Sequence, residues 1–249
     1  MSHSAIQTIM QHRSIRKFKD KKLTNDQIQT IVKAAQMAST SSYVMAYTII
    51  GVTDERIKEQ LAAISGQPYV QKNGHLFVFC GDLHRATQLG APDEIETMQA
   101  SLASPEQFIV MTVDAALASQ NAATAAEDLG LGICYLGSLR NDIRQVSEIL
   151  QLPERVVPLF GMAVGYPDHK PEQKPRLPFE VVYHENHYQP FEQQLPFIKK
   201  FDEKLQAYYE ERKQNSRNDN WSKQIIRKFS TPIRMDVGPF LHDKNVNKQ

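Results

Sequence analysis

The sequence predicts an α+β or α/β domain in three layers, a sheet covered by helices on both faces. Short apolar, β-branched runs alternate along the chain with segments whose apolar residues recur at helical intervals. The run from His75 to Gly81 is apolar at every second and every intervening position, as a strand is when both its faces are covered. No fixed repeat and no Gly/Ser linker divides the 249 residues. A single domain over 1–249 is therefore expected, with a peripheral excursion at about 82–105 and a basic C-terminal arm at about 195–249.

A first helical run covers Ile6 to Gln11. Thr24, with Gln27 three positions on, has capping-box spacing and opens a helix ending near Ser39, its apolar stripe being Ile28, Ile31, Val32, Ala35 and Ala38. Ala46 to Val52 reads as a buried strand, and Asp54 caps a helix carrying Ile57, Leu61 and Ile64. His75 to Gly81 is the second strand. Charged and small residues then mix from Asp82 to Pro105, which predicts a mobile excursion or a peripheral helix. Glu106 to Gly130 is the longest helical pattern, alanine-rich and apolar on most sides despite Asp114, Gln120 and Asn121, so it belongs inside the fold or at a subunit interface. Ile133 to Gly137 and Val156 to Gly165 are two more strands, separated by a helix over Asn141 to Leu150. Prolines 167, 171, 175 and 178 force an extended path before a helix from Leu195 to Glu211.

The net charge of +1 argues against a nucleic-acid protein driven by global charge, although 212–234 holds seven basic residues against one acidic. Cys80 and Cys134 sit in apolar strand-like runs and read as small buried hydrophobes in a reducing compartment; a bridge between them stays open. The N-terminus shows no basic region leading into an apolar stretch, and no apolar run approaches the ~18 residues of a membrane span. A cytoplasmic location without membrane contact is expected.

Hydrolase and simple dinucleotide motifs fail. Gly130 and Gly132 lack a third glycine at Rossmann spacing, no Walker loop or GxSxG elbow appears, and no cysteine pair has zinc spacing. His184 and His187 stand three apart in a proline-flanked stretch, so no metal is expected there. What remains is cationic. His12, Arg13, Ser14, Ile15, Arg16 and Lys17 place guanidinium forks and hydroxyl or imidazole donors in one segment, chemically suited to a phosphate dianion. Alone it reads as a solvated basic turn. Lys174 and Arg176 form a second cationic pair, held stiffly by Pro175.

Six motifs in order give these residues company: His12 to Arg16, Ala38 to Ser42, Gly66 to Val70, Cys134 to Asn141, Pro158 to Gly165 and Lys174 to Pro178, followed by Tyr208 to Arg212 and Asn220 to Ser222. From about residue 5 to 235 the chain resembles the nitroreductase family, in its NADPH-preferring branch of oxygen-insensitive nitroreductases and flavin reductases. The resemblance implies an α+β fold with a mostly antiparallel central sheet, an intertwined homodimer, and FMN bound non-covalently at the dimer interface. It implies ping-pong kinetics in which NADPH reduces the flavin, leaves, and a small-molecule acceptor such as a nitroaromatic, quinone or free flavin takes the electrons. By position, His12, Arg13, Ser14 and Arg16 would meet the FMN phosphate and ribityl end, joined by Lys174 and Arg176. Thr40, Ser41 and Ser42 would line the flavin from the second subunit, and Gln67, Tyr69, Tyr135, Leu136, Gly137 and Ser138 would contact the isoalloxazine. Arg212 and Arg217 match positions that select the 2′-phosphate of NADPH. Met45 stands where related sequences commonly carry glutamine, which bears on acceptor contacts. No protein side chain is expected to act as nucleophile or acid/base, because the flavin carries the chemistry. Two other functions fit parts of the sequence: an FMN-binding sensor or flavin store, and a nucleic-acid module using the basic arm.

Overall fold

The structure, a computed structural model, describes residues 4–211 and 216–248. Four strands, β1 (Tyr47–Val52), β2 (His75–Asp82), β3 (Gly132–Leu136) and β4 (Val156–Gly165), form one sheet in the order β1-β2-β4-β3. Every pairing is antiparallel, with Ile50 opposite Val78, Phe77 opposite Met162 and Cys134 opposite Ala163. The fold is therefore α+β, and the parallel α/β alternative falls away.

Residue alternation across the pleat explains the layers. Phe77, Phe79, Ile133, Met162 and Val164 meet Ile31 and Ala35 of α2 (Asn25–Gln36) and Ala118, Ala122 and Ala126 of α5 (Pro105–Asp128). Leu76, Val78, Cys80 and Ala163 face the other way, onto Leu61 of α3 (Glu55–Ser65) and Val146 of α6 (Ile143–Ile149). The alanines of α5 let it lie close to the sheet. Gly81 shows how close, since a Cβ there would stand 2.8 Å from the Met111 side chain. Cys80 and Cys134 are both buried and free.

Local signals place the helix ends. Ser4 and Gln7 form a capping box at α1 (Ala5–Met10), and Thr24 and Gln27 form one at α2, with both reciprocal hydrogen bonds present. The excursion at 82–105 contains a short 3₁₀ turn and α4 (Pro92–Leu102). The helix expected from Asn141 starts at Ile143, because Gly137–Asp142 is a 3₁₀ turn and Asp142 caps α6 by accepting from Gln145 N. The later helix α8 (Phe191–Glu210) begins four residues before the expected Leu195 and carries Pro196 inside it. Two short helices flank it, α7 (Phe179–Val182) and α9 (Trp221–Ser230), and α10 (Val237–Asp243) follows.

By its contacts the chain divides into two compact units, residues 1–171 with 234–249, and residues 172–233. The first holds the sheet. The second has its own apolar cluster of Phe201, Leu205 and Tyr209, with Leu177, Tyr208 and Trp221 against it.

His75 is 5% exposed, lies 4.4 Å from the Phe77 ring and leaves Nε2 without a hydrogen-bond partner among the described residues. Burial, aided by the charges of Lys58 and Lys22, lowers its pKa from 6.5 to about 4. The unfolded chain thus binds this proton first, so stability is lost as pH falls from 6.5 through about 4. In His75→Leu the thermal midpoint should decline less steeply over that window than in the wild type; an unchanged slope would show that His75 does not contribute to it.

Candidate functional site

The basic segment is not a free turn. Ile15 donates its N–H to Ile133 O at 2.8 Å, and Ser14 bridges Ile133 in parallel, so the segment docks along the outer edge of β3. Ile15 is 4% exposed and packs so tightly on Gly132 that a Cβ there would lie 2.5 Å from its side chain. Extended backbone sends alternate side chains to opposite sides. Arg13 goes with Ile15: both line a groove of about 370 Å³ with Glu127 and Asp128, and Arg13 donates to the carbonyls of Gln11 and Pro171. Ser14 and Arg16 take the opposite side. The His12 Nδ1 meets Glu127 Oε1 at 2.7 Å, which ties the segment to the end of α5. Lys17 pairs with Asp168 at 3.1 Å.

Arg16 forms no ion pair among the described residues and neighbours Tyr69 and Cys134. Burial first, then the Cys134 thiol, raises the Tyr69 phenol, and the Arg16 charge opposes that rise. Cys134 is likewise raised by burial, with Arg16 pulling it back. Sequence distances of 53 and 118 residues thus close at one guanidinium.

Tyr69 and Gln67 sit on a turn built from both ends. Gly66 caps α3 at φ +65°, a left-handed conformation that glycine adopts freely, and Gln67 leads into the 3₁₀ turn Pro68–Val70. From behind, Asn73 Nδ2 donates to the carbonyls of Tyr69 and Val70 at 3.0 and 2.8 Å, and the buried Lys58 donates to Asn73 Oδ1 at 3.2 Å. Burial lowers the Lys58 pKa to about 8. Asn73 and Lys58 were not among the residues that sequence reasoning singled out.

The end of β3 supplies the third piece. Tyr135 donates its hydroxyl to Ser119 O at 2.8 Å, edge-on to Phe160, while Leu136 is 1% exposed and points into the core. Leu136 therefore offers a ligand only its backbone. Gly137 starts the 3₁₀ turn, and the Ser138 hydroxyl is 2.6 Å from that of Ser65 at the end of α3, linking this piece to the Gln67 turn.

The hydroxyl-rich stretch forms a separate, strained loop. Ser42, Tyr43 and Met45 hold φ of 48°, 61° and 51°, which each L-residue adopts at a cost of about 1 kcal/mol or more. Asp114, 0% exposed on α5, holds it there. Its two carboxylate oxygens accept from Ser41 N and Ala46 N, each at 3.0 Å. A charged residue in an alanine-rich helix was the signal for this anchor. Tyr43, Val44 and Met45 are left exposed, and Thr40 leads in on extended backbone.

On the second unit, Lys174, Pro175 and Arg176 line a groove of about 680 Å³ with Leu177, Phe201 and Trp221. Arg217 lies 4.2 Å over the Tyr209 ring, and Lys174 Nζ is 5.6 Å from it. Burial alone would raise the Tyr209 phenol, but Lys174, Arg217 and Gln224 together bring it below its ordinary value. Asp219 accepts from Arg227 at 2.8 Å and meets Arg217 at 3.4 Å, so Arg217 is held in place. Arg212 lies outside the described residues.

These residues fit FMN. A phosphate needs an available cation, which Arg16 provides, and a flat polar heterocycle needs hydroxyl, amide and backbone groups converging on it, which the 67–69 and 135–138 turns provide. Among the described residues no three His, Cys, Asp or Glu gather as a metal site, and no helix is long and apolar enough to cross a membrane.

Asp114→Ala removes two charge-assisted hydrogen bonds and strands two N–H groups, so it should destabilise the protein by about 3 kcal/mol. An unfolding free energy, from denaturant titration, lowered by less than a third of that would show the loop is held by other means.

Comparison with known proteins agrees with this geometry. The nitroreductase family model matches residues 9–166, and the model of that family's C-terminal domain matches 174–249. The FMN reductase (NADPH) of Bacillus subtilis (strain 168) is 47% identical over 248 residues, covering 99% of each chain. The structure of NfrA1 from B. megaterium superposes with a TM-score of 0.94 at 49% identity, covering 98% of this chain and 100% of that one. The NADPH:FMN oxidoreductase of Vibrio harveyi, solved with NAD+, gives 0.89 at 39% identity over 98% and 99%. The motifs, the antiparallel sheet with its docked basic strap and these matches agree: the chain belongs to the nitroreductase family.

Proposed function

We propose that the protein is an FMN-dependent NADPH oxidoreductase that works by a ping-pong sequence and reduces nitroaromatics, quinones or free flavins. The observation that carries this is the strap. A guanidinium without an ion pair among the described residues, Arg16, is displayed from the edge of β3 beside Tyr69. FMN, when bound, supplies hydride acceptance from NADPH and electron delivery to the acceptor, chemistry that no side chain here can perform. Arg16 holds the phosphate end with Ser14, while His12, its Nδ1 engaged with Glu127, and Arg13, its side chain engaged with Gln11 and Pro171, contribute through their backbones. Gln67, Tyr69 and the backbone of Leu136, Gly137 and Ser138 orient the isoalloxazine, and Tyr135, fixed by Ser119, fills the space behind it. On the second unit, Lys174 and Arg176 are assigned to FMN, and Arg212 and Arg217 to the 2′-phosphate of NADPH.

A homodimer is part of the proposal. Ile109, Val113 and Leu117 recur every four residues on α5 and are 56%, 46% and 44% exposed, an apolar stripe on the longest helix that calls for a cover. The exposed Thr40 to Met45 loop, with Ser41 and Ser42, then serves the flavin of the partner.

Purified protein should be yellow, and FMN added to stripped protein should be retained through gel filtration; a colourless product would sink the proposal. Arg16→Ala should weaken FMN retention at least about tenfold, while molecules still holding flavin keep their rate of reduction by NADPH. Slower reduction with full flavin content would move Arg16 from anchoring to chemistry.

Arg217→Ala and Arg212→Ala each remove charge assigned to the 2′-phosphate. Steady-state kcat/KM for NADPH should fall about ten- to a hundredfold, and NADH by no more than about twofold. Equal losses with both donors would refute the assignment.

A further inference from the structure

Behind the turn that carries Gln67 and Tyr69, the first unit has a groove of about 410 Å³ whose walls include Lys19, Asp20, Lys22, Glu55, Lys72 and Asn73. Lys58 of α3 lies beneath these walls at 1% exposure. Its Nζ reaches two of them, Asn73 Oδ1 at 3.2 Å and Glu55 Oε1 at 4.0 Å. The nearer partner is a neutral amide, and the carboxylate is already engaged by Lys22 at 2.5 Å. Three lysines of the walls face two carboxylates, so one positive charge is unmatched before Lys58 is counted.

An ammonium at this depth without a close anion is unfavourable, and a lysine relieves that by giving up its proton. Burial, and then the charge of Lys22, bring the Lys58 pKa from 10.5 down to about 8, with Glu55 opposing. Lys22 stays charged, because its hydrogen bond to Glu55 raises its own pKa. His75 of β2, whose pKa of about 4 reflects burial and then the charges of Lys58 and Lys22, is neutral in this range. Near pH 8, then, about half of Lys58 is a free amine facing one ammonium, one carboxylate and a neutral imidazole. A desolvated lysine beside a second cation is a nucleophile.

We propose that Lys58 is a carbon dioxide site, its amine taking up CO2 as a carbamate whose carboxylate enters the groove and pairs with Lys22. The nitrogen lone pair attacks the carbon, a C–N bond forms, one C=O π pair moves onto oxygen, and the nitrogen releases a proton to water. Nothing is oxidised or reduced, and no leaving group needs a path out. The remaining N–H still donates to Asn73 Oδ1, so the support of the Tyr69 turn survives. The new carboxylate matches the third lysine of the walls. CO2 suits the depth of the amine, being small and uncharged, whereas an acyl phosphate would have to carry its negative charge past Asp20 and Glu55. The site is separate from the strap and from the residues assigned to the flavin.

The test equilibrates the purified full-length protein with isotopically labelled CO2 at about pH 8, fixes carbamates with triethyloxonium, and locates them by peptide mass spectrometry. Lys58 should carry at least about ten times the label found on Lys19 or Lys72. At the same CO2 pressure, lowering the pH to about 6 should cut the Lys58 label at least about tenfold, since the free amine becomes scarce and proton release less favourable. Lys22→Gln should lower the label at least about fivefold, and Lys22→Arg should restore most of it. Lys58→Met should abolish it, with circular dichroism reporting the fold of each variant; the wild-type measurement decides the matter even where that variant fails to fold. Wild type with no label at Lys58, label spread evenly over the exposed lysines, or label that persists at the lower pH overturns the site. Undiminished label in Lys22→Gln overturns the pairing with Lys22. Label at Lys58 in protein that retains no FMN upholds the site while the proposed function falls.

Discussion

Ile15 seated on Gly132 is the contact on which the rest of the site depends. Burying an isoleucine is worth about 2 kcal/mol, while burying an unpaired arginine costs several. The strap therefore has one register on the edge of β3. A slip by one residue would drive Ser14 or Arg16 into the space that Gly132 leaves. The apolar residue in the middle of a basic run decides which cations are displayed. Gly132 is needed for its missing side chain, since a Cβ would occupy the seat itself.

Buried polar groups do a second job, which is to fix loops that lack regular hydrogen bonding. Asp114 offsets the strain of three left-handed residues with two backbone hydrogen bonds, each worth about 1.5–3 kcal/mol to a charged acceptor. Asn73 does the same for the Tyr69 turn, and Lys58 satisfies the Asn73 oxygen in turn. Ser119 receives the Tyr135 hydroxyl. Each loop expected to touch the flavin is tied to a buried side chain on an adjacent helix or turn. Preorganisation of this kind suits a protein whose own contribution is position and charge.

Much of this was legible in the chain. Period 2 and period 3.6 located all four strands and the long helices, and Thr24 with Gln27 gave a helix start to the residue. What periodicity could not supply was pairing. The antiparallel order β1-β2-β4-β3 depends on pairings up to 89 residues apart, His75 with Val164, and the docking of Ser14 on Ile133 spans 119. The segment 12–16 looked like one cationic cluster because a turn lets its side chains converge. Extended backbone separates them instead, and Arg13 faces Glu127 and Asp128 while Arg16 faces Tyr69. Ile15 was the sign of that in the sequence. Asp114 was visible as a charge out of place, whereas Asn73 carries no sequence mark, being an ordinary turn residue until its partners are known.

Charge carries the argument furthest once it is sorted by partner. A net charge of +1 suggests neutrality, and several cations here support it: Lys17, Lys22, Arg85, Arg144 and Arg227 each meet a carboxylate. Such exposed pairs contribute about 0–1 kcal/mol each and say little about function. Arg16, Arg140 and Arg234 belong to a different class, since none has an ion pair among the described residues and all three border the turns expected to hold a flavin. An unmatched guanidinium at the surface is merely hydrated, but Arg140 is half-buried and Arg234, on a left-handed backbone, is directed onto Asn141. Three such cations around one set of turns are accounted for if the missing anions arrive with the ligands. The overall charge balance of the chain is then struck only in its complexes.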